Sequence, residues 1–369
     1  MSSIKSTVWK LDPHTKAKHE ILEYYLKQWF PILTKWSGRV VYLDGFAGPG
    51  IYSNGEEGSP IIALRTAVNH VLRDRFKEIV FWFIEKDKAR AKKLKEVLKD
   101  RFPDLPSNMV YEVEGGEFAP SLEKTLDKLE GEGTRLAPTF AFLDPFGFSG
   151  LPMELISRMM KNPKCEVMIT FMTDFINRFN DEERERALNE LYGTDKWQKI
   201  RDIRDSDERT RFLIDLYQEQ LMELGGANYV RSFEMISKFN KPLYHLVYGT
   251  QHWKGLKAIK EAMYRVDKTG NYRFSDRTTP SQTTMLDYGV EAVWVAKAAE
   301  LIFKAYRRAP SPIPVTIIEK FVITRTPYVF RKSILRHLEE KEKIVDVKIP
   351  KRKRRTGYFP DDAVVTFGE

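Results

Sequence analysis

Four short motifs hold the residue types from which a binding site is built. Asp44-Gly45-Phe46-Ala47-Gly48-Pro49-Gly50 sets a carboxylate before three glycines, and Glu85 closes the run FWFIE. Gly116-Glu117-Phe118 and Asp144-Pro145-Phe146-Gly147 are the other two. Glycines at such a turn permit positive φ and let a ligand approach the backbone closely. The first motif lacks the G-x-G-x-x-G spacing of a dinucleotide site and the Lys-Ser/Thr that ends a phosphate-binding loop, which disfavours nucleotide hydrolysis. An acid ahead of the glycines suits a cationic or zwitterionic ligand better than a pyrophosphate. Glu85 has the chemistry to accept both hydroxyls of a ribose, and Glu117 with Phe118 the chemistry to hold an adenine. Singly, each motif has a plainer reading: a structural turn, a solvated charge, a loop acid, a turn before a helix. Together, if they share one edge of a sheet, they make a binding site.

The elements that must bring them there are legible from periodicity. Residues 14–33 place Ile21, Leu22, Tyr25, Leu26, Trp29 and Phe30 at helical spacing. Residues 39–44, 79–84, 109–113, 139–143 and 166–171 are short apolar runs that predict strands, and each of the first four ends in one of the motifs. Between them, residues 61–73, 88–101, 120–130 and 153–161 predict helices, with Ser59 as N-cap and Pro60 at the first helical position of one. Apolar strands alternating with helices predict a parallel sheet covered on both faces. Residues 174–225 break the rhythm with two charged helical stretches, read as a helical insertion. Residues 229–236 and 243–248 predict two strands joined by SKFNKP, too short for a crossover, so this pair is antiparallel.

The chain has 369 residues, long enough for two domains. Its composition, 42% hydrophobic and 31% charged, reads as soluble and globular rather than disordered. No apolar run approaches the roughly 18 residues of a membrane span, and the start MSSIKSTVWKLDPH has no apolar leader core, so a cytoplasmic protein is expected. The single cysteine, Cys165, rules out intrachain disulfides and cysteine-cluster metal sites, and no metal is expected. The formal charge is +9, but residues 291–369 hold 17 Lys and Arg against 10 Asp and Glu, so +7 of it lies in the last fifth of the chain. There, residues 291–308, 315–324 and 328–342 predict three helices, and residues 344–349 and 361–367 a two-stranded ribbon with KRKRRTG at its turn. Helix, helix, helix, ribbon is the order of a winged helix-turn-helix, whose Arg331, Lys332 and Arg336 would face a groove while Lys351, Arg352, Lys353, Arg354 and Arg355 meet phosphates. A small globular cap with a solvated basic loop is the plainer alternative.

The order of motifs is similar to that of class I S-adenosylmethionine-dependent methyltransferases, whose sheet also ends in an antiparallel hairpin. More narrowly, KHEILEYYLKQW, YLDGFAGPG, EGSPIIAL and FLDPFG, spanning about residues 16–150, resemble the three-Cys-motif partner protein family, TcmP. The resemblance implies a Rossmann-like α/β sheet, placed over residues 1–285, and the element order adds the basic winged helix over 286–369. The resemblance also implies S-adenosylmethionine as cofactor, with Asp44, Gly45, Gly48 and Gly50 cradling its methionine moiety, Glu85 its ribose and Glu117 its adenine, and Phe46 a further cofactor contact. Lys18, His19 and Asp144 would lie against the same pocket; for Lys18 a solvated helix charge is the equal alternative.

Asp144-Pro145-Phe146-Gly147 resembles the (Asp/Asn/Ser)-Pro-Pro-(Tyr/Phe) motif of methyltransferases acting on exocyclic amines of adenine or cytosine. Asp144 and a backbone carbonyl at Pro145 would accept the amine's two N–H bonds, and Phe146 or Phe148 would stack the extruded base. Here Phe146 replaces the second proline and Gly147 the aromatic, which leaves the target atom open. The function implied is methyl transfer to DNA or RNA. The alternative is a non-catalytic nucleic-acid-binding partner subunit that keeps the fold as scaffold or sensor. The family's name records a pairing with a cysteine-motif protein, a further expected partner.

Overall fold

The computed structural model describes residues 10–147, 149–173, 176, 184–276, 286–350 and 354–368. The chain divides into two compact units, Met1–Ala262 with Phe274–Arg277, and Met263–Arg273 with Thr278–Glu369.

The first unit is an α/β sandwich around one sheet. Its strands are β1 (Arg39–Asp44), β2 (Glu78–Glu85), β3 (Met109–Gly115), β4 (Thr139–Leu143), β5 (Glu166–Phe171), β6 (Tyr229–Ile236), β7 (Pro242–Thr250) and β8 (Arg273–Ser275). They lie in the order β3-β2-β1-β4-β5-β7-β6-β8. Pairing is parallel from β3 through β5, and β7 runs antiparallel to both β5 and β6. This is a Rossmann-like sheet with the expected antiparallel terminal hairpin. The central strands β1, β4 and β5 are apolar along their length because both faces are covered; every residue of β4 and β5 is buried.

Helix α1 (Pro13–Trp36) covers one face, its apolar stripe seating Tyr25, Trp29 and Phe30 against Phe81 and Phe140 at ring separations of 4.7–6.0 Å. Pro31 sits inside α1 and has no N–H for the Lys27 carbonyl. His70 Nε2, from the segment after α2 (Ser59–Val68), lies 3.0 Å from that carbonyl instead. On the other face, α3 (Lys88–Arg101), α4 (Phe118–Gly131) and α5 (Met153–Met160) return the chain between strands. The insertion after β5 contains α6 (Glu185–Tyr192), a 3-10 turn over Lys196–Asp202 and α7 (Ser206–Glu223); most of residues 174–183 lies outside the described residues. Stacked Phe171 and Tyr217, 4.2 Å apart, and edge-on Tyr192 join this insertion to the core beneath β5.

Helix α8 (Trp253–Val266) follows β7 and runs into the second unit. That unit holds α9 (Leu286–Tyr306), β9 (Ile313–Pro314), α10 (Val315–Arg325), α11 (Lys332–Glu340), β10 (Ile344–Lys348) and β11 (Val364–Phe367). Its sheet is antiparallel with order β10-β11-β9. Trp294 stacked on Tyr328 and Tyr306 on Phe367 fix the three helices and the sheet around one small core.

Several expected boundaries shift for identifiable reasons. Helix α2 begins at Ser59 itself, with Gly58 as N-cap and no side-chain cap bond, and it stops at Val68 rather than continuing to 73. Helix α11 begins at Lys332, not 328, because Tyr328, Val329 and Phe330 are spent on the core beneath it; Arg331 is its non-helical N-cap. Strands β8 and β9 were not expected: three and two residues are too short for an alternation to show.

Candidate functional site

Ligands of open α/β sheets bind beyond the carboxyl ends of the strands, where the strand order reverses. Here that point lies between β1 and β4, and Asp44 and Asp144 stand on its two sides. The turns leaving the strands extend the ladder: Gly45 N–H donates to the Phe142 carbonyl at 3.1 Å, Ala47 N–H to Ile84 at 2.9 Å and Gly116 N–H to Glu85 at 3.1 Å. A Cβ on Gly45 would fall 2.6 Å from the Phe118 ring and 2.7 Å from Leu143, so only glycine lets the chain pass there.

These turns frame a cleft of about 660 Å³, in the range of small-ligand sites. Gly45, Phe46, Glu85, Glu117, Pro145 and Phe146 all line it, six of the residues that the motifs singled out. Glu85 is buried; its Oε2 accepts the Gly48 N–H and its Oε1 the Asp87 N–H, both at 2.8 Å. Each oxygen keeps a further lone pair, so a diol can still be accepted. Glu117 is an exposed helix N-cap paired with Lys86 at 2.5 Å. Phe46 packs against Phe118 at 5.8 Å, and Phe146 is 64% exposed at the rim. Gly50 takes a different part from the one expected. It does not line the cleft: its φ is +79°, a Cβ there would meet Leu94 at 2.7 Å, and its carbonyl accepts the Gly58 N–H at 2.7 Å to close the loop.

The remaining expected residues of this unit form a polar cluster. Lys18 and His19 sit on the first turns of α1 and are buried. The Lys18 ammonium donates to Asp144 Oδ2 and lies 5.5 Å from the Tyr244 ring centre. Burial pushes the Asp144 carboxyl up, but Lys18 and the Thr170 hydroxyl together outweigh it and hold the group below the ordinary carboxylate range. His19, beside Tyr52 at 5.8 Å, is driven down to about 3, by burial first and then by the Lys18 charge. Asp44 is pushed up to about 7 by burial, with the Asp144 charge adding to it. Opposing that rise are the Ser59 hydroxyl, the Phe46 N–H at 3.3 Å and the Tyr42 hydroxyl at 3.4 Å. Ser59 thus turns toward Asp44 instead of capping its helix. The cluster can therefore hold one fixed carboxylate, one neutral imidazole and one carboxyl that ionises near neutrality.

Sequence reading did not anticipate Tyr52, Tyr244 or Ser59 at the site. Ser59 had a signal, since it falls within the EGSPIIAL motif; the tyrosines had none.

Among the described residues of the second unit, four of the five expected cations are engaged locally. The Arg331 guanidinium lies 5.4 Å from the Tyr264 ring, Lys332 pairs with Asp361 at 2.7 Å, and Arg336 Nε donates to the Gly357 carbonyl at 2.9 Å. Arg354 pairs with Glu339, which also accepts the Gly357 N–H at 2.9 Å. Helix α11 thereby grips the turn before β11. Arg355 is exposed, and Lys351, Arg352 and Lys353 lie outside the described residues.

No protein-family model and no curated protein matches the chain. Among solved structures it is similar to Trm1 from Pyrococcus horikoshii in complex with S-adenosyl-L-methionine, with 13% identity, 99% of this chain and 93% of that one covered, and a TM-score of 0.39. It is also similar to protein LPL1258 from Legionella pneumophila, at 13% identity over 63% and 84% of the two chains and a TM-score of 0.35. A Listeria monocytogenes protein described as a candidate class I S-adenosylmethionine-dependent methyltransferase shares 11% identity over 68% and 64%, with a TM-score of 0.31. Likenesses this remote carry no argument about activity; the fold rests on the strand order itself. Among the described residues, no helix is long and apolar enough to cross a membrane.

Proposed function

We propose that the first unit is an S-adenosylmethionine-dependent methyltransferase domain of the three-Cys-motif partner type, acting on a base of DNA or RNA, and that the second unit is a winged helix holding the polymer. The observation that carries the reading is the single cleft at the strand-order reversal, lined by Gly45, Phe46, Glu85 and Glu117 on one side and Pro145 and Phe146 on the other. When bound, the cofactor supplies an electrophilic methyl group on a sulfonium. Glu85 would accept the ribose hydroxyls, while Phe46 and Glu117 would flank the rest of the cofactor. Lys18 keeps Asp144 ionised, so that its carboxylate and the Pro145 carbonyl can accept the N–H bonds of an exocyclic amine and aim its lone pair. Phe146, exposed beside them, would stack the extruded base. In the second unit the helix order, the antiparallel sheet and the turn clamped by Arg336 and Glu339 support a wing presenting basic residues to phosphates.

Labelled methyl transfer to DNA and RNA, with calorimetry for cofactor binding, tests this. Asp144→Ala should abolish transfer while leaving cofactor affinity within about tenfold; undiminished turnover refutes the role of Asp144. One observation favours the second reading, a binding subunit without catalysis: the Lys18 ammonium already occupies one oxygen of Asp144. Saturable cofactor binding with no transfer to either polymer would select that reading.

A further inference from the structure

A second cavity of the first unit lies at the opposite edge of the sheet from the cleft. It measures about 680 Å³ and opens between the second half of α1 and the start of α8. Trp29, Ile32, Leu33 and Trp36 wall one side, Ala258 and Gly255 the other, and Glu166, the first residue of β5, lies at its floor. Nothing in the methyl-transfer reading uses it.

The floor decides what the cavity can hold. Tyr25 Oη contacts Glu166 Oε2, Tyr25 Oη and Tyr248 Oη are 2.8 Å apart, and Tyr248 Oη is 3.0 Å from Glu166 Oε1. These contacts close a ring, and each needs one hydrogen. The two tyrosines bring two. The third is a carboxyl proton on Glu166, whose O–H completes the circuit. Thr250 Oγ1 donates to Oε1 at 2.6 Å, so that oxygen accepts two hydroxyls. Its chemistry agrees: Glu166 is buried, no Lys or Arg among the described residues pairs with it, and burial raises its carboxyl above the ordinary range against the pull of these hydroxyls. Gly255 seals the ring from the helix side, for a Cβ there would overlap Glu166 Oε1 and lie 2.7 Å from Tyr248 Oη. The floor is therefore closed and neutral.

The mouth has the opposite character. Lys164 Nζ is held across it by the Trp36 carbonyl at 3.4 Å and the Ser37 hydroxyl at 3.2 Å. Exposed Lys254 stands on the facing side, and Lys35 lies 4.9 Å from the Trp36 ring centre. His252 Nδ1 accepts the Lys254 N–H at 3.1 Å. Besides Glu166, no lining residue is acidic. We infer that this cavity binds an amphipathic monoanion, a flat aromatic body seated among the tryptophans with its carboxylate at the mouth between Lys164 and Lys254. The aromatic walls match a rigid ring better than a flexible chain, and the cationic mouth selects an anion over its neutral or cationic isostere.

Three isosteric probes test this on the full chain by calorimetry: 2-naphthoate, 2-naphthalenemethanol and 2-naphthylmethylammonium. The expected order is naphthoate tightest, at least about tenfold tighter than the alcohol, with the ammonium weakest. Replacing Lys164 and Lys254 together by Gln should lower naphthoate to the alcohol's affinity and leave the alcohol unchanged, which also shows that the variant is folded. Equal affinities for the three probes, no saturable naphthoate binding, or a double variant that still prefers the anion would each overturn the assignment. None of these readouts depends on whether the protein transfers methyl groups.

Discussion

The two edges of the central sheet handle a carboxyl in opposite ways. At the carboxyl edge, Asp144 keeps its charge because Lys18 reaches it from α1. At the amino edge, no cation pairs with Glu166 among the described residues; it sits in a ring of hydroxyls from Tyr25, Tyr248 and Thr250, and burial raises its carboxyl above the ordinary range. The same helix supplies both partners, Lys18 near its start and Tyr25 two turns later, so the difference lies in side-chain chemistry and not in the covering element. An ion pair beside an open cleft leaves a polarised group that chemistry can use. A neutral ring under an apolar cavity leaves a surface that chemistry cannot use but a hydrophobic ligand can.

Breaking the cation has the largest expected effect. Lys18→Met leaves the half-buried Asp144 carboxylate without its cation and should cost about 3 kcal/mol, read as a lower midpoint in denaturant at pH 8. The loss should shrink in acid as Asp144 takes up a proton. Glu166→Ala comes next, at about 2–3 kcal/mol, because the hydroxyls of Tyr25, Tyr248 and Thr250 lose their acceptor. Glu166→Gln sharpens the contrast. Its amide donates where the carboxyl proton would and accepts where the carbonyl does, so it should cost less than about 1 kcal/mol. Equal costs for Glu166→Gln and Lys18→Met would erase the distinction between the edges.

The carboxyl edge also makes a prediction in pH. Asp44, with its folded value raised to about 7 from 3.8, keeps a proton that the unfolded chain loses, so its contribution falls as pH rises through that window. His19, lowered to about 3 from 6.5, refuses a proton that the unfolded chain takes, so its contribution falls as pH drops through its own window. Between about pH 4 and 6.5 the two slopes oppose and nearly cancel. Asp44→Asn should expose the histidine slope, stability falling toward acid, and His19→Gln the aspartate slope, stability rising toward acid. Denaturant titrations across that range read both, and slopes of the same sign in the two variants would refute the pairing. The smallest effect on stability is expected in the second unit. Neutralising Lys351, Arg352, Lys353 and Arg355 to Gln, with Arg354 kept for its pair with Glu339, should leave the melting temperature nearly unchanged yet flatten the salt dependence of polymer binding, by about 0.7–0.9 in log–log slope for each phosphate no longer neutralised.

Much of this was legible from the residues. The apolar runs of β1, β4 and β5 and the charged pattern of α3 set those elements to the residue, and the short SKFNKP link fixed the antiparallel hairpin. Six residues picked from strand-end motifs came together in one cleft, since register in a parallel sheet aligns strand ends without further information. What stayed hidden depends on long-range pairing. Lys18 and Asp144 are 126 positions apart, and neither side chain announces the other. The ring at Glu166 draws its hydroxyls from α1 and β7. An acid opening an otherwise fully apolar strand is its one visible signal, and that signal names no partner. In the second unit, charge density predicted polymer contacts, while the structure shows Lys332, Arg336 and Arg354 spent partly on holding their own turn.

Pro31 offers a consequence of a different kind. Its ring leaves the Lys27 carbonyl without a helical donor, and the imidazole of His70 covers for it. The two positions are therefore an epistatic pair. In lineages that keep the proline, position 70 is constrained to a side chain that can donate; once residue 31 regains an amide hydrogen, that constraint lapses and position 70 is released to drift. A double-mutant cycle of Pro31→Ala and His70→Ala should show it as a loss at position 70, about 1 kcal/mol, present in the proline background and absent in the alanine one.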